Sequence, residues 1–168
     1  KISGTTTIDF TNGHQSTLPD FSGFSSIYSA KVNGNNMVGG LVGYAQNSSV
    51  TGFAVNANVT GATNVGGLFG KISIESVENY INSNAFNGNV TCTGDNVGGI
   101  VGNFYFVNDS EISYSGFYNN IAYGNINGGG RVSGVVGYLE VGENNDFVLQ
   151  YCVNMARIVG IGDIGGVL

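Results

Sequence analysis

One string recurs five times along this chain, as VGGLVG at 38–43, VGGLFG at 65–70, VGGIVG at 97–102, VSGVVG at 132–137 and IGGVL at 164–168. The starts lie 27, 32, 35 and 32 residues apart. A period of this size marks an array of supersecondary units, none of which can bury its apolar face alone. Stacking the units is what builds a core, so the repeat constrains the fold before any single element is read.

A second element precedes each anchor: a small residue, a variable one, then Val or Ile. It reads Ala30-Lys31-Val32, Ala57-Asn58-Val59, Gly88-Asn89-Val90, Gly124-Asn125-Ile126 and Ala156-Arg157-Ile158. Strand side chains alternate faces with a period of two. Val32, Val59, Val90, Ile126 and Ile158 therefore form an inward core column, and Lys31, Asn58, Asn89, Asn125 and Arg157 an outward polar one. Each inward side chain contributes about 1.5–3 kcal/mol once buried. A third element is marked by Val50, Val77, Ile112 and Val148, running on to Phe53, Tyr80, Phe117 and Tyr151, with variable lengths confined to the links around it. Insertions allowed in some links and forbidden in others are what stacked coils require. No window sustains an apolar helical period, and Gly interrupts nearly every stretch. The expectation is an all-β parallel β-solenoid (β-helix) over 26–168, about five coils of ~30 residues with three short strands per coil. Residues 1–25 read as an irregular lead-in or partial coil.

The anchor glycines need a reason of their own, because Gly weakens a strand unless the backbone turns or something approaches closely. Copy four reads Ser133-Gly134, so only the second position looks obligatory. Gly40, Gly67, Gly99, Gly134 and Gly166 are expected at structural corners with positive φ, and the first glycine of each pair at a tight packing point.

Composition narrows function mainly by exclusion. The five basic residues, Lys1, Lys31, Lys71, Arg131 and Arg157, are scattered through a chain of net charge −6. Nucleic acid and anionic membrane surfaces want clustered cations, so neither is expected as a partner, and the apolar runs are too short to insert in a bilayer. Cys92 and Cys152 occupy different repeat positions and read as two free, mostly buried thiols rather than a disulfide. The chain opens on Lys1 and stops at Leu168 in mid-motif, so a segment of something longer is expected.

The anchor strings, with an upstream V-x-G as in Val59-Thr60-Gly61, resemble the GLUG motif of bacterial surface proteins and of some secreted proteins of unicellular eukaryotes. The stretch Gln150-Tyr151-Cys152-Val153-Asn154 is similar to the N-C-Y-N segment of such repeats. The resemblance covers about 26–168. It implies a β-solenoid stalk or adhesive module at a cell surface, and it brings no catalytic residue with it.

Read for chemistry, the chain offers little. His14 sits in a Gly/Asn/Ser/Thr-rich stretch with no nucleophile or orienting carboxylate in pattern, so a solvated loop residue is expected. The anchors lack the Lys-Ser/Thr and the following helix of a phosphate loop. Two acidic groups, Asp109-Ser110-Glu111 and Glu143-Asn144-Asn145-Asp146, match no calcium loop. No metal, cofactor or catalytic set is expected. Asn47, Asn58, Asn89 and Asn108 each open an N-x-S/T sequon, so a glycan-coated fibre is one reading and chance in an Asn-rich chain the other. Thr60, Thr91 and Thr93 are too irregular for an ice-binding face.

A non-enzymatic structural or adhesive segment, extracellular or on a cell surface, accounts for these features best. Its partners would be neighbouring coils of a longer chain or identical subunits, with glycans or host surface proteins at the inserted loops near 103–110 and 139–145. A self-assembling extracellular filament subunit is the alternative, since a solenoid end exposes strand edges unless capped. A carbohydrate-active β-helix enzyme is the third reading, weakened by the isolated cations and the lack of a visible paired-carboxylate cleft.

Overall fold

The computed structural model describes residues 30–75, 79–107, 113–143 and 145–168. The lead-in over 1–25, with His14, lies outside the described residues. So do Val77, Asn108, Asp109, Glu111, Ile112 and Asn144.

Every described element is a strand, and the strands succeed one another in the same order on each passage. The first passage holds β1 (Ala30–Asn33), β2 (Asn36–Gly39), β3 (Val42–Gln46) and β4 (Val50–Thr51). The second holds β5 (Ala54–Gly61), β6 (Thr63–Gly66), β7 (Phe69–Ile74) and β8 (Asn79–Asn82). The third holds β9 (Ala85–Cys92), β10 (Val97–Gly98), β11 (Val101–Phe106) and β12 (Ser113–Tyr118). The fourth holds β13 (Ile121–Asn127), β14 (Val132–Ser133), β15 (Val136–Val141) and β16 (Asn145–Gln150). Then come β17 (Val153–Asn154), β18 (Arg157–Val159) and β19 (Ile164–Gly165).

Like strands stack into four parallel sheets. Sheet A is β1-β5-β9-β13 followed by β17 and β18, sheet B is β2-β6-β10-β14-β19, sheet C is β3-β7-β11-β15 and sheet D is β4-β8-β12-β16. The chain is thus an all-β parallel β-solenoid, with two corrections to the sequence reading. Each coil carries four strands rather than three, because the anchor is not one element. It begins in sheet B, bends at its second glycine and the following aliphatic residue, and ends in sheet C, a bend that an apolar pattern does not display. The array makes about three turns rather than five. An anchor counts a corner, and corners at the ends of an array belong to turns stacked on one side or left incomplete. The coils opening with β5, β9 and β13 are the ones paired, wholly or in part, to a rung before and a rung after.

The register puts Val32, Val59, Val90, Ile126 and Ile158 in one line, with Lys31, Asn58, Asn89, Asn125 and Arg157 beside it. Val59, Val90 and Ile126 are fully buried, while Val32 and Ile158, on the end rungs, are half-buried. A second interior line, Leu41, Leu68, Ile100, Val135 and Val167, fills the anchor corner, its three middle members fully buried. Between sheets C and D the core is aromatic. Phe104 meets Phe117 edge-on at 5.5 Å, a geometry worth about 0.5–1.5 kcal/mol beyond burial, and packs against Phe147, tilted, at 5.1 Å.

The third element needs realignment. Sheet D pairs Val50 with Ile81, and then Phe117 with both Ile81 and Leu149, so Val148 stands opposite Gly116. Links of unequal length between sheets C and D displace the apolar positions of this strand when they are counted forward from the anchors.

Candidate functional site

The three glycines of the anchor do different work, and none has positive φ. That conformation falls instead to Gly52, Gly88 and Gly124 and to side-chain-bearing corner residues such as Asn64 (φ 52) and Asn96 (φ 62), a region Asn enters more readily than most residues. The expectation of positive φ at Gly40, Gly67, Gly99, Gly134 and Gly166 is therefore corrected. Four of these glycines are required by crowding. Their missing side chains point into the coil, where a Cβ on Gly67 would come 2.1 Å from Gly99 O and 2.4 Å from the Phe86 ring. The same contact to the next rung's carbonyl recurs at Gly40, Gly99 and Gly134, whereas a Cβ on Gly166 meets nothing within 4 Å.

The first and last glycines face outward, into a notch where sheets B and C meet. A Cβ on Gly39 would strike Leu68 O, and one on Gly102 would strike the backbone of Asn64 and Val65. Above these glycines the notch is laced by side chains. Asn64 Nδ2 donates to Asn36 Oδ1 (2.8 Å), and Asn96 Nδ2 (2.8 Å) and Asn103 Nδ2 (3.1 Å) both donate to Asn64 Oδ1. Further along, the Arg131 guanidinium lies 4.3 Å from the Tyr138 ring centre, a cation–π contact. The buried Asn96 Oδ1 and Asn103 Oδ1 accept no bond among the described residues. At the last rung the notch opens into a cavity of about 340 Å³ lined by Arg131, Tyr138, Leu139, Asp163, Ile164 and Leu168 among others.

Inside the corner from sheet D to sheet A runs a ladder the sequence reading missed. Asn84 Nδ2 donates to Asn120 Oδ1 (3.0 Å) and to Val50 O (3.1 Å), while Asn84 Oδ1 accepts from Phe53 N (3.0 Å). Asn120 Nδ2 in turn donates to Ile81 O (2.8 Å). Both amides are fully buried. The sequence does carry a signal for it: Phe53, Asn84, Asn120 and Cys152 each directly precede the first residue of a sheet A strand, at Ala54, Ala85, Ile121 and Val153. Cys152 closes this line, and Cys92 ends β9 opposite Gly61. Both thiols are free. Burial is the main force pushing each thiol's pKa up, opposed by hydrogen bonding at Gly94 for Cys92 and at Asn120 for Cys152.

The outer face of sheet A is a regular polar grid. Asn89 Nδ2 donates to Asn58 Oδ1 (2.7 Å) and Asn125 Nδ2 to Asn89 Oδ1 (2.9 Å), with Lys31 and Arg157 next in register at either end. Beside this line stand Asn33, Thr60, Thr91, Asn127 and Val159. Two sequon asparagines, Asn58 and Asn89, are thus ladder members. Asn47 lies apart, exposed after β3 at φ 47, its Oδ1 accepting from Glu75 N (2.8 Å). Among the described residues no group of three or more His, Cys, Asp or Glu side chains could hold a metal ion, and no helix is long and apolar enough to cross a membrane.

No family model, no curated protein and no solved structure matches this chain.

Proposed function

We propose that this chain is a structural and adhesive segment of a secreted or cell-surface protein, built of GLUG-like repeats and without catalytic activity. The observation that carries the reading is the use made of its polar side chains. They link rung to rung in uncharged ladders on the outer face of sheet A and along the B–C notch, while the interior is mainly aliphatic and aromatic, with the Asn84–Asn120 ladder confined to one corner. Such an outer surface is regular, rigid and extended along the stack, which suits display and contact. Beads coated with the purified chain are expected to adhere to cells or to extracellular material where albumin-coated beads do not. Equal retention of both would contradict the reading. Release of reducing ends from a panel of polysaccharides would point to the carbohydrate-active reading instead.

A filament subunit is the second reading. It rests on the stacking itself, since parallel rungs of one copy can be continued by the rungs of another. Electron microscopy separates the two: uniform short rods speak for the segment, fibres that lengthen with concentration for the filament.

A further inference from the structure

We propose that the outer face of sheet A binds an extended neutral glycan, a chain rich in hydroxyls and free of charge, laid along the stack. This assignment rests on the adhesive reading and narrows it to one surface and one ligand chemistry.

Three observations converge on that face. The first is the amide ladder Asn58–Asn89–Asn125. Each primary amide has two N–H donors and two acceptor lone pairs, and the ladder consumes one donor from Asn89 and Asn125 and one lone pair from Asn58 and Asn89. The remaining donors and acceptors are held in fixed orientation at the rung spacing of about 4.8 Å. Hydroxyls, which both donate and accept, are the groups that such alternating valences satisfy. The second is a depression of about 220 Å³ on the same grid, lined by Asn89, Thr91, Asn125, Asn127, Arg157 and Val159 among others. Asn89, Thr91, Asn125, Asn127 and Arg157 are exposed there. The third is charge. The chain carries −6 overall, yet none of the strands β1, β5, β9, β13, β17 and β18 contains an Asp or Glu. Charge on this face is confined to Lys31 at one end and to Arg157 at the other, where it lines the depression; the rungs of Asn58, Asn89 and Asn125 between them carry none, which suits an uncharged partner and gives a cationic one nothing to pair with. Tyr123, in register with Asn56 and Asn87, adds an aromatic side chain of the kind that packs on the C–H face of a sugar ring.

The test uses the whole purified chain in affinity electrophoresis through gels containing a neutral β-glucan, a mannan or starch, and in parallel polygalacturonate or alginate. At least one neutral glycan is expected to retard the wild type. The double variant Thr91→Lys/Asn127→Lys, which leaves the amide ladder untouched, is expected to weaken that binding at least about tenfold with the melting temperature nearly unchanged. Asn89→Ser breaks the ladder without adding charge and is expected to weaken the same binding.

Retardation that survives in both variants overturns the assignment of this face and leaves adhesion to other surfaces standing. If Asn89→Ser lowers only the melting temperature, the ladder is purely structural and the proposal falls. Binding restricted to the acidic polymers, and lost with salt or in Arg157→Gln, overturns the neutral class. No retardation by any glycan, from a chain whose beads still adhere to cells, overturns the glycan proposal alone. Failure of the beads to adhere at all removes the adhesive reading beneath it.

Discussion

Placing Ala at position 67 would drive its Cβ to 2.1 Å from Gly99 O and 2.4 Å from the Phe86 ring, whereas Ala at position 166 would meet nothing within 4 Å. The two glycines stand at equivalent places in the motif, so the pair isolates crowding from motif membership. Gly67→Ala is expected to cost about 1–3 kcal/mol or more, as overpacking against backbone does, and Gly166→Ala to stay within about 0.5 kcal/mol of wild type, both read from urea denaturation. The two asparagine ladders differ in the same way. Asn84→Ala strips partners from Phe53 N and Val50 O in a fully buried corner and is expected to cost about 2–4 kcal/mol, while the exposed Asn89→Ala costs about 1 kcal/mol or less, since water replaces its bonds. The thiols supply a pH dependence. Because burial raises both folded pKa values above the ordinary 9.0, their contribution to stability is fully present below that value. It declines as pH rises through the folded values, since the unfolded chain then sheds protons that the folded one retains. Alkylation by iodoacetamide at pH 8 is expected to be slow for both cysteines in the folded chain and fast in urea.

At the scale of the element, register is the quantity that matters. A one-residue slip in a strand sends its apolar set to the outer face, so a single Ser inserted after Val59 should abolish cooperative unfolding. Two residues inserted after Glu143, between sheets C and D, should shift the urea midpoint only slightly, because closing a longer loop costs little. Both are read from the same denaturation curves. This contrast also explains what could be read without coordinates. The line Val32, Val59, Val90, Ile126 and Ile158 was legible because period-two alternation and an almost constant offset to the anchor fix it. Sheet D is not reached by counting forward from the anchors, because the links that precede it vary in length. Counted backward, Val50, Ile81, Phe117 and Leu149 each stand four residues before Ala54, Ala85, Ile121 and Val153, a fixed corner containing the buried Asn84–Asn120 ladder. The sheet B to C bend left no trace in the apolar pattern, because Gly39-Gly40 and Gly66-Gly67 carry no side chains to report on which face they lie. Neither the notch lacing nor the amide-to-amide bonds of sheet A were legible, since they depend on which coils become neighbours. Only the polarity of the outward column was.

For the whole molecule, stability should be graded along the stack, as in any array whose units contact only their neighbours. Fully buried residues concentrate in the passages from β5 to β15, and the last rung exposes Tyr151 by 77% and Ile161 by 91%. Hydrogen exchange is therefore expected to be slowest for the amides of β7, β9 and β11 and fastest for those of β17 to β19. The architecture itself is tested most directly by methyl–methyl nuclear Overhauser contacts among Val59, Val90 and Ile126. Parallel rungs about 4.8 Å apart give cross-peaks from Val59 to Val90 and from Val90 to Ile126, and none from Val59 to Ile126, which lie two rungs apart. A direct Val59–Ile126 contact, or the loss of both neighbouring ones, would contradict the stacked solenoid.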